Sequence, residues 1–129
     1  MTYNLKKESE KKERLAGGHR LCAGCGAGIT VRGVLRALDP EDKAVVVNAT
    51  SCLEVSTFMY PYTAYEDSFI HSAFENAAAT AAGVETAYKV LQHKGRINEN
   101  FKVIAFGGDG GTSGMVAGSM TSTVGTIPV

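Results

Sequence analysis

Residues 102–112 read KVIAFGGDGGT, a stretch that indicates an α/β fold. It begins with a short apolar run, which is typical of a strand buried on both faces of a parallel sheet. The run ends in four glycines around Asp109. Glycine lets the backbone approach a phosphate because it has no Cβ atom, and a carboxylate oxygen is a hard ligand that suits Mg²⁺. The stretch therefore predicts either a diphosphate and magnesium site at the end of a strand, or a tight turn that needs glycine only for its backbone angles.

A second glycine-rich stretch, residues 17–28, contains Cys22 and Cys25 in a C-x-x-C spacing. Two thiolates at this spacing on a glycine-bearing turn can bind one metal ion or one iron–sulfur cluster. A redox dithiol has the same spacing, and two packing cysteines are a third interpretation. The surrounding glycines favour a metal or cluster, because packing cysteines do not need them.

The β-branched run 44–48 predicts another buried parallel strand. It leads into Thr50, Ser51 and Cys52, so small polar side chains and the third cysteine follow the carboxyl end of a strand. Ligands bind at that edge of open α/β sheets. A short strand over 68–71 places His71 at the same edge, where we expect either a hydrogen-bonded structural histidine or a catalytic one.

The other segments predict two helices and a loop that pack around these strands. The alanine-rich residues 77–91 predict a closely packed helix that Gly95 ends. Apolar residues at three- and four-residue steps from Ile29 to Leu38 predict the buried face of a second helix, which Asp39-Pro40 ends. Residues 60–65 predict a strandless, turn-rich segment whose tyrosines pack onto the sheet.

The chain is predicted to have a charged, solvated arm over 1–16 and a domain over 17–129. Hydrophobic residues make up 44% of the 129 residues, and thirteen basic side chains balance thirteen acidic ones. This balance gives no indication of binding to nucleic acid or a membrane surface. No apolar stretch approaches the ~20 residues of a membrane span, and the charged N-terminus has no signal-peptide core. We therefore expect a cytoplasmic protein with reduced thiols.

The chain carries a series of short motifs in a fixed order. They are GHR at 18–20, CAGCG at 22–26, TSCLEV at 50–55, YPY at 60–62, FENAA at 74–78 and GGDGGT at 107–112. This order resembles the β subunit of the pyruvate:ferredoxin oxidoreductase (pyruvate synthase) and 2-oxoacid:ferredoxin oxidoreductase family. The resemblance covers most of residues 17–112 and implies an α/β thiamine-diphosphate-binding fold, with a parallel sheet flanked by helices.

The resemblance also implies three cofactors: thiamine diphosphate, Mg²⁺ and a [4Fe–4S] cluster. The residues implied to hold the thiamine diphosphate are Thr50, Ser51, Gly108, Asp109, Gly110 and Gly111, with Asp109 also binding Mg²⁺. Three of the four cluster ligands correspond to Cys22, Cys25 and Cys52. The family's fourth cysteine and the second half of its magnesium motif lie further downstream, and no cysteine follows Cys52 here. The chain is therefore expected to be an N-terminal fragment, incomplete at its C-terminus and inactive alone.

The implied activity is the oxidative decarboxylation of a 2-oxoacid, pyruvate above all, to an acyl-CoA and CO₂, with electrons passing through the cluster to ferredoxin. The implied partners are an α subunit, γ- or δ-type subunits, ferredoxin, the 2-oxoacid and coenzyme A. The alternative is a non-enzymatic interaction module that binds zinc or a cluster through its three cysteines, with His19 or His71.

Overall fold

The computed structural model describes residues 4–109 and the backbone of residues 126–128. Its centre is a sheet of four strands: β1 (Lys43–Ala49), β4 (Ser68–Ser72), β5 (Phe101–Gly107) and β6 (Thr126–Pro128). The strands lie in the order β4-β1-β5-β6, and every neighbouring pair is parallel. The two strands predicted from their apolar runs are therefore neighbours at the centre of the sheet.

Helices and a small hairpin complete the described part of the chain. The helices are α1 (Leu5–Glu10), α2 (Gly26–Arg36), α3 (Cys52–Thr57) and α4 (Ala77–His93). The strands β2 (Phe58–Met59) and β3 (Tyr62–Thr63) pair in antiparallel fashion. This architecture confirms the predicted α/β class, a parallel sheet flanked by helices. Within the described residues, no helix is long and apolar enough to cross a membrane.

Strand β1 is buried along almost its whole length because both faces of the sheet are covered. Ala44 and Val46 pack in one cluster with residues of α2 and α3. Val45 and Val47, which alternate with them, pack against the alanines of α4 on the opposite face. A strand covered on both faces favours apolar side chains, which explains the valines at 45–47; the buried Asn48 that follows them donates to the Tyr65 hydroxyl.

Helix α4 ends as the sequence predicts. Gly95 has a φ of +65°, a left-handed conformation that favours glycine. The Arg96 amide donates to the Leu91 carbonyl at 3.0 Å, and the Gly95 amide donates to the Gln92 carbonyl at 2.9 Å. These two bonds satisfy the last carbonyls of the helix, as in a Schellman motif.

Two local predictions are wrong. Residues 60–65 are not strandless, because β2 and β3 form a hairpin around the cis Tyr60–Pro61 peptide bond. Helix α2 ends at Arg36, before Asp39-Pro40, and Ile29 in its first turn is exposed. The buried face of α2 is narrower than its apolar pattern suggests, with Val31 and Leu35 at its centre.

The charged arm packs against the rest of the domain. Leu15 is buried and forms an antiparallel bridge with Tyr65, and the Ala16 amide donates to the Ala64 carbonyl at 2.8 Å. Lys11 Nζ donates to the Arg36 carbonyl at 2.7 Å, at the C-terminal end of α2. The composition of the arm predicts solvation, but its backbone and charged groups find partners on α2 and near β4.

Candidate functional site

The site lies at the edge of the sheet where the parallel strands end. From β1 the chain continues to β4 on one side, whereas from β5 the next described strand, β6, lies on the other side. The gap between the ends of β1 and β5 is therefore a topological switch point, where ligands bind in open α/β sheets. Thr50 and Ser51 follow β1, and Gly108 and Asp109 follow β5. The structure thus brings four of the predicted cofactor residues to one crevice.

Gly108 lies very close to Ser51 across this crevice. A Cβ atom added to Gly108 would lie 3.0 Å from the Ser51 Cβ. Glycine therefore allows the end of β5 to approach the loop after β1. Asp109 follows and is exposed, so its carboxylate is accessible. Gly110 and Gly111 lie outside the described residues.

The two hydroxyl groups at the end of β1 have different neighbours. Thr50 is tied to β4, since its amide and its hydroxyl donate to the Ser72 carbonyl at 3.1 and 3.2 Å. Ser51 is the N-cap of α3, and its Oγ accepts a 3.4 Å hydrogen bond from the Glu54 amide. The Ser51 hydroxyl accepts in this bond, whereas the Thr50 hydroxyl already donates to a carbonyl, so Ser51 is the better placed of the two to donate to a ligand.

The C-x-x-C segment forms a tight turn before α2. The Cys25 amide donates to the Cys22 carbonyl at 3.0 Å, and Gly24 between them has a φ of +76°. All three cysteines are free thiols; Cys22 and Cys52 are exposed and Cys25 is half-buried. The positive φ of Gly24 favours glycine at the second gap position, and the turn leaves Cys22 exposed and Cys25 half-buried.

The cysteine turn is connected to the helix that carries the third cysteine. The Arg20 amide donates to the Ser56 carbonyl of α3 at 2.7 Å, and Cys52 is the first residue of that helix. Within the part of the chain that the structure describes, however, no three histidine, cysteine, aspartate or glutamate residues form a group able to hold a metal ion. The cysteine turn and α3 touch, but the three thiols are not gathered into one set of ligands.

The donor types fit the implied cofactors. Free, accessible thiols are the ligands of iron–sulfur clusters, and three of them supply all but one ligand of a four-cysteine cluster. An exposed carboxylate beside a backbone that can approach phosphate fits Mg²⁺, which binds one or two carboxylates together with phosphate oxygens and water.

His71 lies at the same edge, and its partner is a residue that the sequence reasoning missed. His71 Nδ1 lies 2.9 Å from Glu54 Oε1; the Glu54 side chain is 3% exposed and that of His71 is 48% exposed. The imidazole also stacks on Phe58, with ring centroids 5.8 Å apart. The Ser51-x-x-Glu54 spacing is a capping-box signal, which predicts that Glu54 returns to the start of α3 rather than binding a histidine.

Comparison with known proteins finds similar oxidoreductase subunits. No family model matches it. Over 121 residues it is 59% identical to the pyruvate synthase subunit PorB of Thermotoga maritima, a match that covers 87% of this chain and 37% of that protein. The chain is therefore similar to one part of the PorB subunits. PorB of Methanocaldococcus jannaschii is 50% identical over 105 residues, covering 80% of this chain and 35% of that PorB.

The PorB relatives are longer than this chain, which spans about a third of the length of those it matches. The ketoisovalerate oxidoreductase subunit VorB of Pyrococcus furiosus is 33% identical over 102 residues, covering 79% of this chain and 32% of VorB. The identities with the PorB proteins are higher than with this VorB. The resemblance read from the sequence motifs is thereby confirmed.

Proposed function

We propose that this chain supplies part of the thiamine diphosphate site and three cysteine ligands of a [4Fe–4S] cluster in an oxidoreductase that decarboxylates a 2-oxoacid, with pyruvate as the substrate. The observation that carries the proposal is the 59% identity with a pyruvate synthase PorB subunit over 87% of the chain. The crevice between β1 and β5 supports it, because it lies at a switch point and is lined by the residues that the family resemblance implies.

In this proposal each residue of the crevice has a separate task. Gly108 lets the backbone at the end of β5 approach the diphosphate, and Ser51 donates a hydrogen bond to the ligand. Asp109 binds Mg²⁺, and Gly110 and Gly111 are the other residues proposed to bind the diphosphate. Thr50 holds the loop after β1 against β4. When bound, thiamine diphosphate supplies the electron sink for decarboxylation.

In this proposal the cysteines bind the cluster that is needed for electron transfer. Cys22 and Cys25 bind the cluster from the turn before α2, and Cys52 binds it from the start of α3. A cluster held by these cysteines would supply one-electron transfer towards ferredoxin, and coenzyme A would accept the acyl group. The fourth ligand, the remaining magnesium ligands and the group that activates thiamine come from outside these residues, with an α subunit and γ- or δ-type subunits as partners.

The experiment is anaerobic reconstitution with iron and sulfide, followed by measurement of iron, zinc and acid-labile sulfide. We compare the native sequence with Cys22→Ala and with Ala23→Ser, a control that changes the same exposed turn but keeps all three thiols. We expect about one cluster per chain in the native sequence and the control, and loss of the labile sulfide in Cys22→Ala.

Two further results decide the outcome. With the partner subunits present, pyruvate-dependent reduction of ferredoxin should require added thiamine diphosphate, and Asp109→Asn should raise the concentration of Mg²⁺ that is needed. Stoichiometric zinc without sulfide, together with no pyruvate-dependent reduction, would instead establish the non-enzymatic interaction module.

A further inference from the structure

The 2.9 Å contact between His71 Nδ1 and Glu54 Oε1 implies a hydrogen bond that orients an imidazole at the predicted ligand-binding edge. A carboxylate can only accept, so the proton of the bond lies on His71 Nδ1. The second ring nitrogen, Nε2, then has the free lone pair when the imidazole is neutral. A buried carboxylate that holds Nδ1–H and leaves Nε2 free to take a proton is the arrangement by which acidic residues orient histidine bases in enzymes.

Three contacts hold this pair in place. Glu54 is anchored in the first turn of α3, directly beyond its N-cap Ser51. His71 is on β4, and its ring stacks on Phe58, which in turn stacks on Phe69. The carboxylate is buried but the imidazole is half exposed, so the pair presents only its histidine to a ligand.

His71 also lies near the crevice. It pairs with Asn48 of β1, and Asn48 pairs on its other side with Phe106 of β5, two residues before Gly108. Two strand spacings separate β4 from β5, about 10 Å. A ligand with its diphosphate at Gly108 can therefore extend across the end of β1 towards the imidazole.

We propose that His71 is a proton acceptor for the ligand bound at this edge and that Glu54 is its positioning residue. The proposal rests on the function proposed above. In the step, an O–H or S–H bond of the bound ligand breaks, its electron pair stays on the oxygen or sulfur, and the proton moves to His71 Nε2. The Nδ1 proton remains on His71, facing Glu54. No atom is oxidised or reduced, and the proton returns to water or to the next intermediate when the ligand leaves.

The test uses the assembled oxidoreductase with His71→Gln, Glu54→Gln and the double variant. We expect His71→Gln to lower kcat by about 10²-fold and Glu54→Gln by about tenfold, with the KM for pyruvate nearly unchanged. A glutamine at residue 54 has a donor as well as an acceptor, so it no longer forces the proton onto Nδ1. The double variant should be no slower than His71→Gln, because Glu54 acts only through His71.

The matched control is His93→Gln. His93 is an exposed histidine at the far end of α4, and its replacement should keep full kcat.

Two assays identify the proton donor. Each variant is measured in complete turnover with coenzyme A and in pyruvate decarboxylation without it. A loss confined to complete turnover assigns the proton to the thiol of coenzyme A, and a loss in both assays assigns it to a hydroxyl group in the decarboxylation step.

Kinetic measurements distinguish a failure of this proposal from a failure of the proposed function. An unchanged kcat in both assays, or additive losses in the double variant, would overturn the proposal while leaving the proposed function intact. If the native complex does not oxidise pyruvate, both are overturned. Because His71 is half exposed, His71→Gln should keep the native melting temperature, and a fall in kcat without a fall in Tm excludes a purely structural role.

Discussion

Gly108 and Ser51 meet so closely at the end of the sheet that a Cβ atom on residue 108 would lie 3.0 Å from the Ser51 Cβ. The contact joins the ends of two neighbouring strands, β1 and β5, and it sets the width of the crevice between them. The glycine is therefore constrained by a neighbour as well as by any ligand that binds there.

Replacing Gly108 with alanine should push the end of β5 away from Ser51. We expect a loss of about 1–3 kcal/mol in the free energy of unfolding, the usual range for an added group in a packed site. Denaturant unfolding measures the change. Gly33→Ala is the matched control, because an added Cβ at this helical position meets nothing within 4 Å. It should raise stability by about 0.5–1 kcal/mol, and equal effects of the two variants would refute the close contact.

Arg14 should contribute more to stability than any exposed cation of the arm. Its guanidinium binds Asp67 at 2.8 Å and donates to the carbonyls of Asp39 and Asp42, each at 3.0 Å. Both side chains of the ion pair are mostly buried, so Arg14→Met leaves Asp67 without its cation and should cost about 3 kcal/mol in thermal or denaturant unfolding. Lys12→Met removes an exposed partner of Glu66 and should change stability by less than about 0.5 kcal/mol.

The attachment of the arm to α2 should weaken in acid. The pKa of Glu13 is lowered below its ordinary value of 4.5, mainly because Arg32 donates a hydrogen bond to its carboxylate. Burial raises this pKa, and Arg36 lowers it further. The unfolded chain therefore binds this proton at a higher pH than the native protein. The contribution of Glu13 is complete above pH 4.5 and is lost as the pH falls through its lower native pKa.

Unfolding of native protein and Glu13→Gln from pH 7 to pH 3 tests this point. The stability difference between them should be constant near neutral pH and shrink in the acid range. Glu10→Gln is the control, since Glu10 makes no ion pair within residues 4–109. A difference that stays constant down to the lowest pH would contradict the assignment.

Tyr65 should ionise at a higher pH than an ordinary tyrosine. Burial raises its pKa above 10.0, while hydrogen bonds with Asn48 and Thr57 oppose the shift and the nearby Glu54 adds to it. Its hydroxyl accepts a 3.1 Å hydrogen bond from the fully buried Asn48 amide. Tyr65→Phe leaves that donor unpaired and should cost about 1–2 kcal/mol.

Ultraviolet titration of the phenols should show one late-ionising group that Tyr65→Phe removes. The same change at exposed Tyr62 should leave that late group in place and alter stability by less than about 0.5 kcal/mol. Loss of the late group in Tyr62→Phe would contradict the assignment to Tyr65.

Much of the fold could be predicted because its strands and longest helix have simple causes. Strands β1 and β5 contain the apolar runs 44–47 and 103–106 because both faces of the sheet are covered there. Helix α4 is rich in alanine because it packs closely on the sheet. Gly95 ends that helix through its backbone conformation. These patterns are local in the sequence, so they can be read without knowing the partners of each segment.

The contacts that the sequence did not reveal join distant segments. The bridge between Leu15 and Tyr65, the pair of Arg14 with Asp67 and the pair of Glu54 with His71 all depend on how the chain turns between their members. Charged residues in the arm have the composition of a solvated segment, and nothing local indicates their partners. The same holds for the three thiols, whose order along the chain does not fix their separation in space.

The strand order has a consequence for synthesis of the protein. The ribosome releases β1 first and β4 second, whereas β5 is added on the opposite side of β1 only after α4 has been made. A nascent chain that ends within α4 already contains the three cysteines, Ser51 and the pair of Glu54 with His71. It contains the end of β1 but not the end of β5, so only one side of the crevice is present. The β5 side of the crevice exists only once Gly108 has left the exit tunnel, so the crevice forms late in synthesis.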